Sequence, residues 1–239
     1  FDKLSQIRLP RWTSGRVALV GDAAYCPSPA AGMGGSVAIL GATGATGRLF
    51  TALALKNGHE VTALVRNASK LSATDKLHVV VGDATNEHAV KQVVDGADVV
   101  VSTLGHVAGE APMMTIAVAN ILSAARKQAA PPRCVIMTTM GVGGTSYHVK
   151  LILSLFVAGI KVIADYETAD EEVRRNGEVP YVLVRAGHLI DGPSTDAYTT
   201  SLNGCYHIAM QISRADVASF LLRAASSEEF ENKAVQIYT

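Results

Sequence analysis

The segment Val37-Ala38-Ile39-Leu40-Gly41-Ala42-Thr43-Gly44-Ala45-Thr46-Gly47 decides the fold of this 239-residue chain. It runs from an apolar stretch typical of a strand, through a glycine-rich turn, into a stretch with helical spacing, which is the context of a dinucleotide-binding loop. In such a loop the glycines allow a tight turn, close approach of a pyrophosphate, and close packing of helix on strand. We therefore predict cofactor contacts at Gly41, Thr43, Gly44, Ala45, Thr46 and Gly47.

Strand and helix signals alternate from residue 37 onward. Short β-branched runs predict strands at 36–40, 60–65, 77–81, 98–103, 133–138, 181–185 and 234–238. Helical spacing predicts helices at 48–57, 87–94, 113–128, 166–176 and 214–225. This alternation predicts an α/β fold, a Rossmann-like doubly wound parallel sheet with helices on both faces. Residues 37–239 form the predicted domain, and residues 1–36 form an N-terminal extension.

The charge balance and the apolar content restrict what the chain can bind. Lys plus Arg and Asp plus Glu both number 21, so the formal net charge is zero. Both a nucleic-acid binder and a polybasic membrane-surface protein need an excess of cations, so the balance argues against both classes. Hydrophobic residues make up 49% of the chain, enough for a sizeable core. We expect a small-molecule substrate and leave the oligomeric state, monomer or dimer, open.

Cysteine spacing and hydropathy predict a cytoplasmic protein. Cys26, Cys134 and Cys205 lie far apart and are odd in number, which disfavours a disulfide framework or a structural zinc site and favours a reducing cytosol. No metal site is predicted. The most apolar run, 151–164, is too short to span a bilayer of ~30 Å, so we interpret it as a buried or pocket-covering helix.

The end of the second predicted strand indicates which dinucleotide is bound. An NAD site usually has Asp or Glu there, about 20 residues past the loop, to hold the ribose 2′-hydroxyl. This chain has Arg66 instead, with Lys70 four residues further on. Arg binds a 2′-phosphate through charge-assisted hydrogen bonds, whereas a carboxylate repels it. The pattern favours NADPH (NADP), and the alternative is a solvated surface pair.

Two further strand ends add weaker signals for the cofactor. Asp83 and Ala84 follow the third strand, where the adenine is expected, and Leu104 and Gly105 follow the fourth. A glycine after a strand is usually only a turn. These residues nevertheless fall at successive carboxyl ends of strands, where open α/β sheets bind ligands.

Candidate catalytic groups are few. A short-chain dehydrogenase normally has a Tyr followed four residues later by a Lys, but here Asp170 follows Tyr166, and the spacing from Tyr147 to Lys150 is wrong. Thr138 and Thr139 end the fifth strand, where hydroxyls can bind the nicotinamide amide or a substrate. His188 follows the sixth strand and can donate a proton near neutral pH. The alternatives are plain strand threonines and a loop histidine bonded to backbone.

Together these residues resemble the biliverdin-IXβ reductase/flavin reductase family, within the atypical short-chain dehydrogenases that include NmrA-like NAD(P)H-binding proteins. Besides the glycine loop, the similarity rests on the following residues: Val65-Arg66 with Lys70, His78-Val79-Val80-Val81-Gly82-Asp83, Thr138-Thr139, Arg185-Ala186-Gly187-His188, Asp191 with Pro193, Ala197-Tyr198-Thr199, and Ile212-Ser213-Arg214 with Asp216. The resemblance implies cofactor contacts at Ala186 and Gly187, and catalytic roles for Thr139, which replaces a family Ser, and His188. The segment 142–161 matches poorly.

The resemblance implies NADPH-dependent hydride transfer to a flavin, a linear tetrapyrrole, a quinone or a similar conjugated acceptor. The alternative is an NmrA-like regulatory protein that senses NADP(H) without turnover. Residues 12–35 resemble a different family, the Gly-Asp flavin-contacting motif of FAD-dependent aromatic monooxygenases, with Asp22 as the matching residue. Those enzymes also need an FAD-binding βαβ unit and a substrate domain. We therefore expect the extension to be structural and to hold no FAD by itself.

Overall fold

In the computed structural model of the chain, the described residues are 35–107, 109–143, 160–202 and 210–239, together with two short strands, β1 (Thr13–Ser14) and β2 (Val17–Ala18). These two strands pair antiparallel with each other, apart from the main sheet. Asp22, Tyr147, Lys150 and most of the apolar run 151–164 lie outside the described residues.

From residue 36 onward, strands and helices alternate along the chain. In order they are β3 (Ser36–Leu40), α1 (Ala45–Lys56), β4 (Glu60–Val65), β5 (Leu77–Val81), α2 (Glu87–Val94), β6 (Val99–Ser102), α3 (Met114–Arg126), β7 (Arg133–Thr139), α4 (Ile160–Arg175), β8 (Tyr181–Ala186), β9 (His188–Ile190), β10 (Thr199–Ser201), β11 (Gln211–Ser213), α5 (Arg214–Ser226) and β12 (Lys233–Tyr238). Single 3-10 turns occur at Ala68–Lys70 and Glu228–Phe230.

The main sheet has eight strands in the order β10-β12-β8-β7-β6-β3-β4-β5. All are parallel except β10, which pairs antiparallel with β12 at the edge. The strand order reverses at β3, which lies between β4 and β6. In open parallel sheets, ligands bind outside the carboxyl ends of the strands at such a switch point. The predicted doubly wound fold is confirmed.

The central strand explains the two-layer core. Four of the five residues of β3 are buried, as expected for a parallel strand covered on both faces. Val37 and Ile39 pack with the buried side chains of α1 and α5 on one face. Ala38 and Leu40 pack with those of α2, α3 and α4 on the other. Each successive side chain of the strand thus joins the opposite half of the core.

Two local features differ from the sequence prediction. Helix α1 begins at Ala45 rather than at residue 48, because the glycine loop leads directly into its first turn. Strands β9, β10 and β11 were not predicted. Each has three residues, too few for a periodic signal, and β9 pairs with β11 in a small parallel sheet of its own. Among the described helices, none is long and apolar enough to cross a bilayer.

A buried ion-pair network joins α4 to β8. Asp170 on α4 has no exposed surface. Its two carboxylate oxygens accept hydrogen bonds from Arg185 Nε (2.9 Å) and Nη2 (2.7 Å), and Arg174 Nε donates a third (2.7 Å). This network accounts for an arginine within an otherwise apolar strand. Arg185 therefore acts as a structural residue that holds the helix against the carboxyl end of the sheet.

Asp170→Asn tests this network. The substitution leaves the buried Arg185 guanidinium without its counter-charge, so we expect the free energy of unfolding to fall by about 3–5 kcal/mol. Urea titration followed by circular dichroism measures the change. Glu171→Gln is the control on the same helix. It removes an exposed pair with Arg175 and is expected to cost at most about 1 kcal/mol. Equal losses for both variants would contradict a stabilising role for the buried network.

Candidate cofactor site

The glycine loop is held in one tight conformation. Gly41 has a φ of +90°, and a Cβ there would lie 2.8 Å from Thr103 Oγ1. Its carbonyl oxygen accepts hydrogen bonds from the Gly44 amide (3.0 Å) and from Thr103 Oγ1 (3.2 Å). A Cβ on Gly47 would overlap that same oxygen. Gly41 and Gly47 are therefore required for the chain to pack against itself.

Gly44 has a different reason to be a glycine. Its φ is −72°, which any residue adopts, and a Cβ there would meet only Gly41 O, at 3.3 Å. It is exposed and stands at the N-cap of α1, where no side chain caps the helix. The first-turn amides of an uncapped helix bind anions well. The contact that a Cβ would make at Gly44 is tight but much less severe than the overlap at Gly47, and the exposed N-cap leaves room for an anion.

A pocket of about 560 Å³ opens at the switch point of the sheet. Its wall is built from the residues that follow β3, β4, β5 and β6, so the carboxyl ends of four parallel strands meet there. Nine of the predicted cofactor residues line it: Gly41, Thr43, Gly44, Arg66, Lys70, Asp83, Ala84, Leu104 and Gly105. Ala45, Thr46 and Gly47 lie in the first turn of α1, behind the loop.

The opposite wall is apolar and was not predicted. It comprises Val107, Ala111, Pro112, Met113 and Ile116. Val107 and Ile116 are 47% and 51% exposed, high values for such side chains. An apolar wall facing a few polar groups is typical of sites for small organic ligands. Because these residues lie in the segment before α3 and on its first turns, strand-end reasoning gave no signal for them.

Arg66 already has a partner in this pocket. Its Nη1 donates to both carboxylate oxygens of Glu110, each at 2.8 Å. The side chains are 60% and 46% exposed. Lys70 lines the same region from the end of its 3-10 turn, which Asn67 caps by accepting a hydrogen bond from the Ser69 amide. Glu110 was missed because it lies 44 residues from Arg66 along the chain.

Asp83 shapes the pocket wall through its own turn. Its Oδ1 accepts hydrogen bonds from the hydroxyl (2.6 Å) and the amide (2.9 Å) of Thr85. These bonds lower the pKa of the Asp83 carboxyl, the positive charge of Arg66 lowers it further, and partial burial opposes them. The Ala84 carbonyl accepts from Asn120 Nδ2 (3.0 Å) on α3. Asp83 and Ala84 thus form a fixed, ionised turn beside Arg66.

The predicted residues at the ends of β7 and β8 form a second group beside the pocket. Thr138 and Thr139 pair in register with Arg185 and Ala186, and β7 adjoins β6, whose end lines the pocket. Thr138 is buried, and its Oγ1 has no hydrogen-bond partner among the described residues. Thr139 is half-buried. Neither threonine is among the residues that line the pocket.

The last three predicted residues cross from β8 to β9. The Ala186 carbonyl accepts from the Met140 amide (3.0 Å), and the Gly187 amide donates to Ile237 O (3.0 Å). A Cβ on Gly187 would lie 2.9 Å from Met210 O, so packing explains this glycine. His188 is exposed, and its amide donates a hydrogen bond to the Met210 carbonyl oxygen at 2.9 Å.

Tyr166 is a further residue whose contact was not predicted. It lies on α4, and its hydroxyl oxygen accepts a hydrogen bond from the His106 amide at 3.0 Å. That hydroxyl fixes the chain just after Gly105, a residue of the pocket wall. Burial raises the pKa of the Tyr166 phenol, so the group stays neutral. The residue four positions after Tyr166 is Asp170, so there is no Tyr–Lys pair here, and the Asp170 carboxylate accepts hydrogen bonds from Arg185.

A family model described as NAD(P)H-binding matches residues 41–228. Among solved structures, the anaerobillin reductase ChuY of Escherichia coli is 22% identical with a TM-score of 0.72, covering 85% of this chain and 96% of its own. A short-chain dehydrogenase/reductase of Veillonella parvula in complex with NADP is 20% identical with a TM-score of 0.72. The match covers 86% of this chain and 94% of that one. A candidate NADH-flavin reductase of Streptococcus pneumoniae is 19% identical with a TM-score of 0.70, covering 86% and 99%.

Curated relatives match a much shorter stretch. An uncharacterised protein of Mycobacterium tuberculosis is 60% identical over 52 residues, which is 22% of this chain and 14% of that protein. A flavin-dependent monooxygenase of Legionella longbeachae is 46% identical over 66 residues, or 28% of this chain and 16% of that protein. The matched part of the chain therefore spans about a seventh of the length of these relatives.

Gly44→Ala and Gly47→Ala separate ligand approach from packing. We expect Gly44→Ala to keep nearly wild-type stability but to weaken NADP⁺ binding at least about tenfold, because its methyl group stands where the phosphate must approach. Gly47→Ala should instead destabilise the fold, because its Cβ would overlap Gly41 O. Calorimetric titration and thermal melts measure the two effects. Gly177→Ala, with open space around the added Cβ, is the control. Unchanged binding by Gly44→Ala would contradict a phosphate site at this loop.

Proposed function

Because the chain belongs to the NAD(P)H-binding family whose model matches residues 41–228, we propose that it is an NADPH-dependent reductase of a flavin, a linear tetrapyrrole, a quinone or a similar conjugated acceptor. The observation that carries the proposal is the pocket at the switch point. It joins an uncapped helix N-terminus to Arg66 and Lys70 across the ends of neighbouring strands. Phosphate-binding features at both positions match the two charged parts of NADPH.

Different residues of the pocket hold different parts of the cofactor. The loop Gly41–Gly47 and the first turn of α1 hold the pyrophosphate, and Arg66 with Lys70 hold the 2′-phosphate. Asp83 and Ala84 line the adenine side, facing the apolar wall that includes Ile116. Leu104 and Gly105 pass beside the ribose, where the lack of a side chain at Gly105 permits close approach.

The chemical step needs little from the protein beyond placement. NADPH supplies the hydride when bound. Thr138 and Thr139 offer hydroxyls that orient the nicotinamide amide and the acceptor, and Thr139, which is half-buried, is the more accessible of the two. His188 is exposed and its ring can pass a proton from solvent to the reduced acceptor. Holding the two reacting rings together accounts for most of the acceleration.

The acceptor class rests on the neighbours and on the missing proton relay. Anaerobillin reductase and flavin reductase activities are named for two proteins with this fold, and both names support a conjugated acceptor. A conjugated ring system accepts hydride without the Tyr–Lys pair that alcohol and carbonyl chemistry uses. For residues 1–36, which resemble a flavin-contacting motif of monooxygenases, we propose no FAD site.

Arg66→Gln tests the 2′-phosphate site. We expect the affinity for NADPH to fall by about 1.5–3 kcal/mol, the contribution of a hydrogen bond to a charged group, while the affinity for NADH changes much less. Fluorescence titration of both cofactors measures the difference. Arg223→Gln, which alters a half-exposed arginine outside the pocket, should change neither affinity. Parallel losses for NADPH and NADH would place the 2′-phosphate elsewhere.

Steady-state oxidation of NADPH tests turnover. With FMN, biliverdin or menadione as acceptor, we expect at least one to be reduced, and Thr139→Val and His188→Gln each to lower kcat by about tenfold or more. Tight NADP⁺ binding with no turnover of any acceptor would contradict the reductase proposal and favour the sensing alternative.

A further inference from the structure

The ion pair between Arg66 and Glu110 crosses the pocket. Arg66 follows β4, and Glu110 lies in the segment between β6 and α3, so the pair joins two walls of the same cavity. Both carboxylate oxygens of Glu110 accept from one guanidinium nitrogen at 2.8 Å. One of the guanidinium nitrogens that can bind a 2′-phosphate is therefore engaged by a carboxylate of this chain.

The charges around Arg66 make this contact consequential. Glu110 and Asp83 both line the pocket, and Lys70 is the other cation of its wall among the described residues. Asp83 is held ionised by Thr85 and faces the charge of Arg66. A phosphomonoester carries roughly two negative charges at neutral pH. A phosphate that approaches Arg66 therefore competes with Glu110 for the guanidinium Nη1 and is repelled by the Glu110 carboxylate.

NADH does not compete with Glu110 in this way. Its ribose carries a hydroxyl in place of the 2′-phosphate, which neither repels Glu110 nor competes for Arg66 by charge. We propose that Glu110 is a specificity-determining residue that competes with the 2′-phosphate for Arg66 and so narrows the preference for NADPH over NADH. This inference rests on the proposed binding of the cofactor in this pocket, but it does not depend on the acceptor or on turnover.

The size of the effect follows from the exposure of the pair. An ion pair this exposed is weak because water screens it, and water also screens the repulsion between Glu110 and an approaching phosphate. The two effects act in the same direction on NADPH. Removing the charge of Glu110 should therefore strengthen NADPH binding by about three- to tenfold and leave NADH within about twofold.

Glu110→Gln is the test, with Kd for NADP⁺ and NAD⁺ measured by isothermal titration calorimetry on the full chain. Glutamine keeps the shape of the side chain, and the residue is on the surface, so the fold is preserved. Glu229→Gln is the matched control, since Glu229 forms an ion pair with Arg223 at similar exposure (50% and 56%) outside the pocket. The expected result is a three- to tenfold fall in the Kd for NADP⁺ with Glu110→Gln alone.

A double-mutant cycle with Arg66→Gln tests whether Glu110 affects NADP⁺ binding through Arg66. If Glu110 acts by occupying Arg66, its substitution should strengthen NADP⁺ binding less than twofold once Arg66 is gone. An undiminished gain in that background would overturn the competition. Binding of NADP⁺ by the wild type with no change in Glu110→Gln would overturn this inference and leave the proposed function standing. If neither NADP⁺ nor NAD⁺ bound the wild type, both would fail.

Discussion

The contact on which the site depends is the one between Gly47 and the Gly41 carbonyl. Because Gly47 carries no side chain, the first turn of α1 packs directly on that oxygen, which also accepts hydrogen bonds from the Gly44 amide and the Thr103 hydroxyl. This one oxygen atom thus contacts the glycine loop, the first turn of α1 and Thr103, the residue that follows β6. The N-terminus of α1 is thereby held where the strand order reverses, and residues that follow β4, β5 and β6 complete the pocket.

Much of this arrangement follows from sequence, for a physical reason. Strands such as β3 are covered on both faces, so they appear as continuous apolar runs, and parallel strands end at a common edge. Residues that follow those runs, such as Arg66, Asp83 and Gly105, must then lie near one another, and the pocket does bring them together. The glycines of the loop also differ from one another, since a Cβ would clash severely at Gly41 and Gly47 but would make only one close contact, at 3.3 Å, at Gly44.

The rest depends on contacts between distant segments, which no local pattern encodes. Glu110 meets Arg66 across 44 residues, and Asp170 meets Arg185 only because α4 returns over β8. The sequence shows that Asp170, and not a lysine, lies four residues after Tyr166, but it does not show that the Tyr166 hydroxyl contacts the His106 amide. Strands β9 and β11 are three residues each and form only where the chain doubles back. Apart from these short strands, the sequence reasoning missed the partners of individual side chains rather than the helices and strands that carry them.

A crystal structure of the chain with NADP⁺ is the most direct measurement. We expect the pyrophosphate at the Gly41–Gly47 loop, the 2′-phosphate bonded to Arg66, and the Glu110 carboxylate turned out of the pocket. A 2′-phosphate bound elsewhere, with the Arg66–Glu110 pair still closed, would contradict both the assignment of the cofactor site and the competition within it.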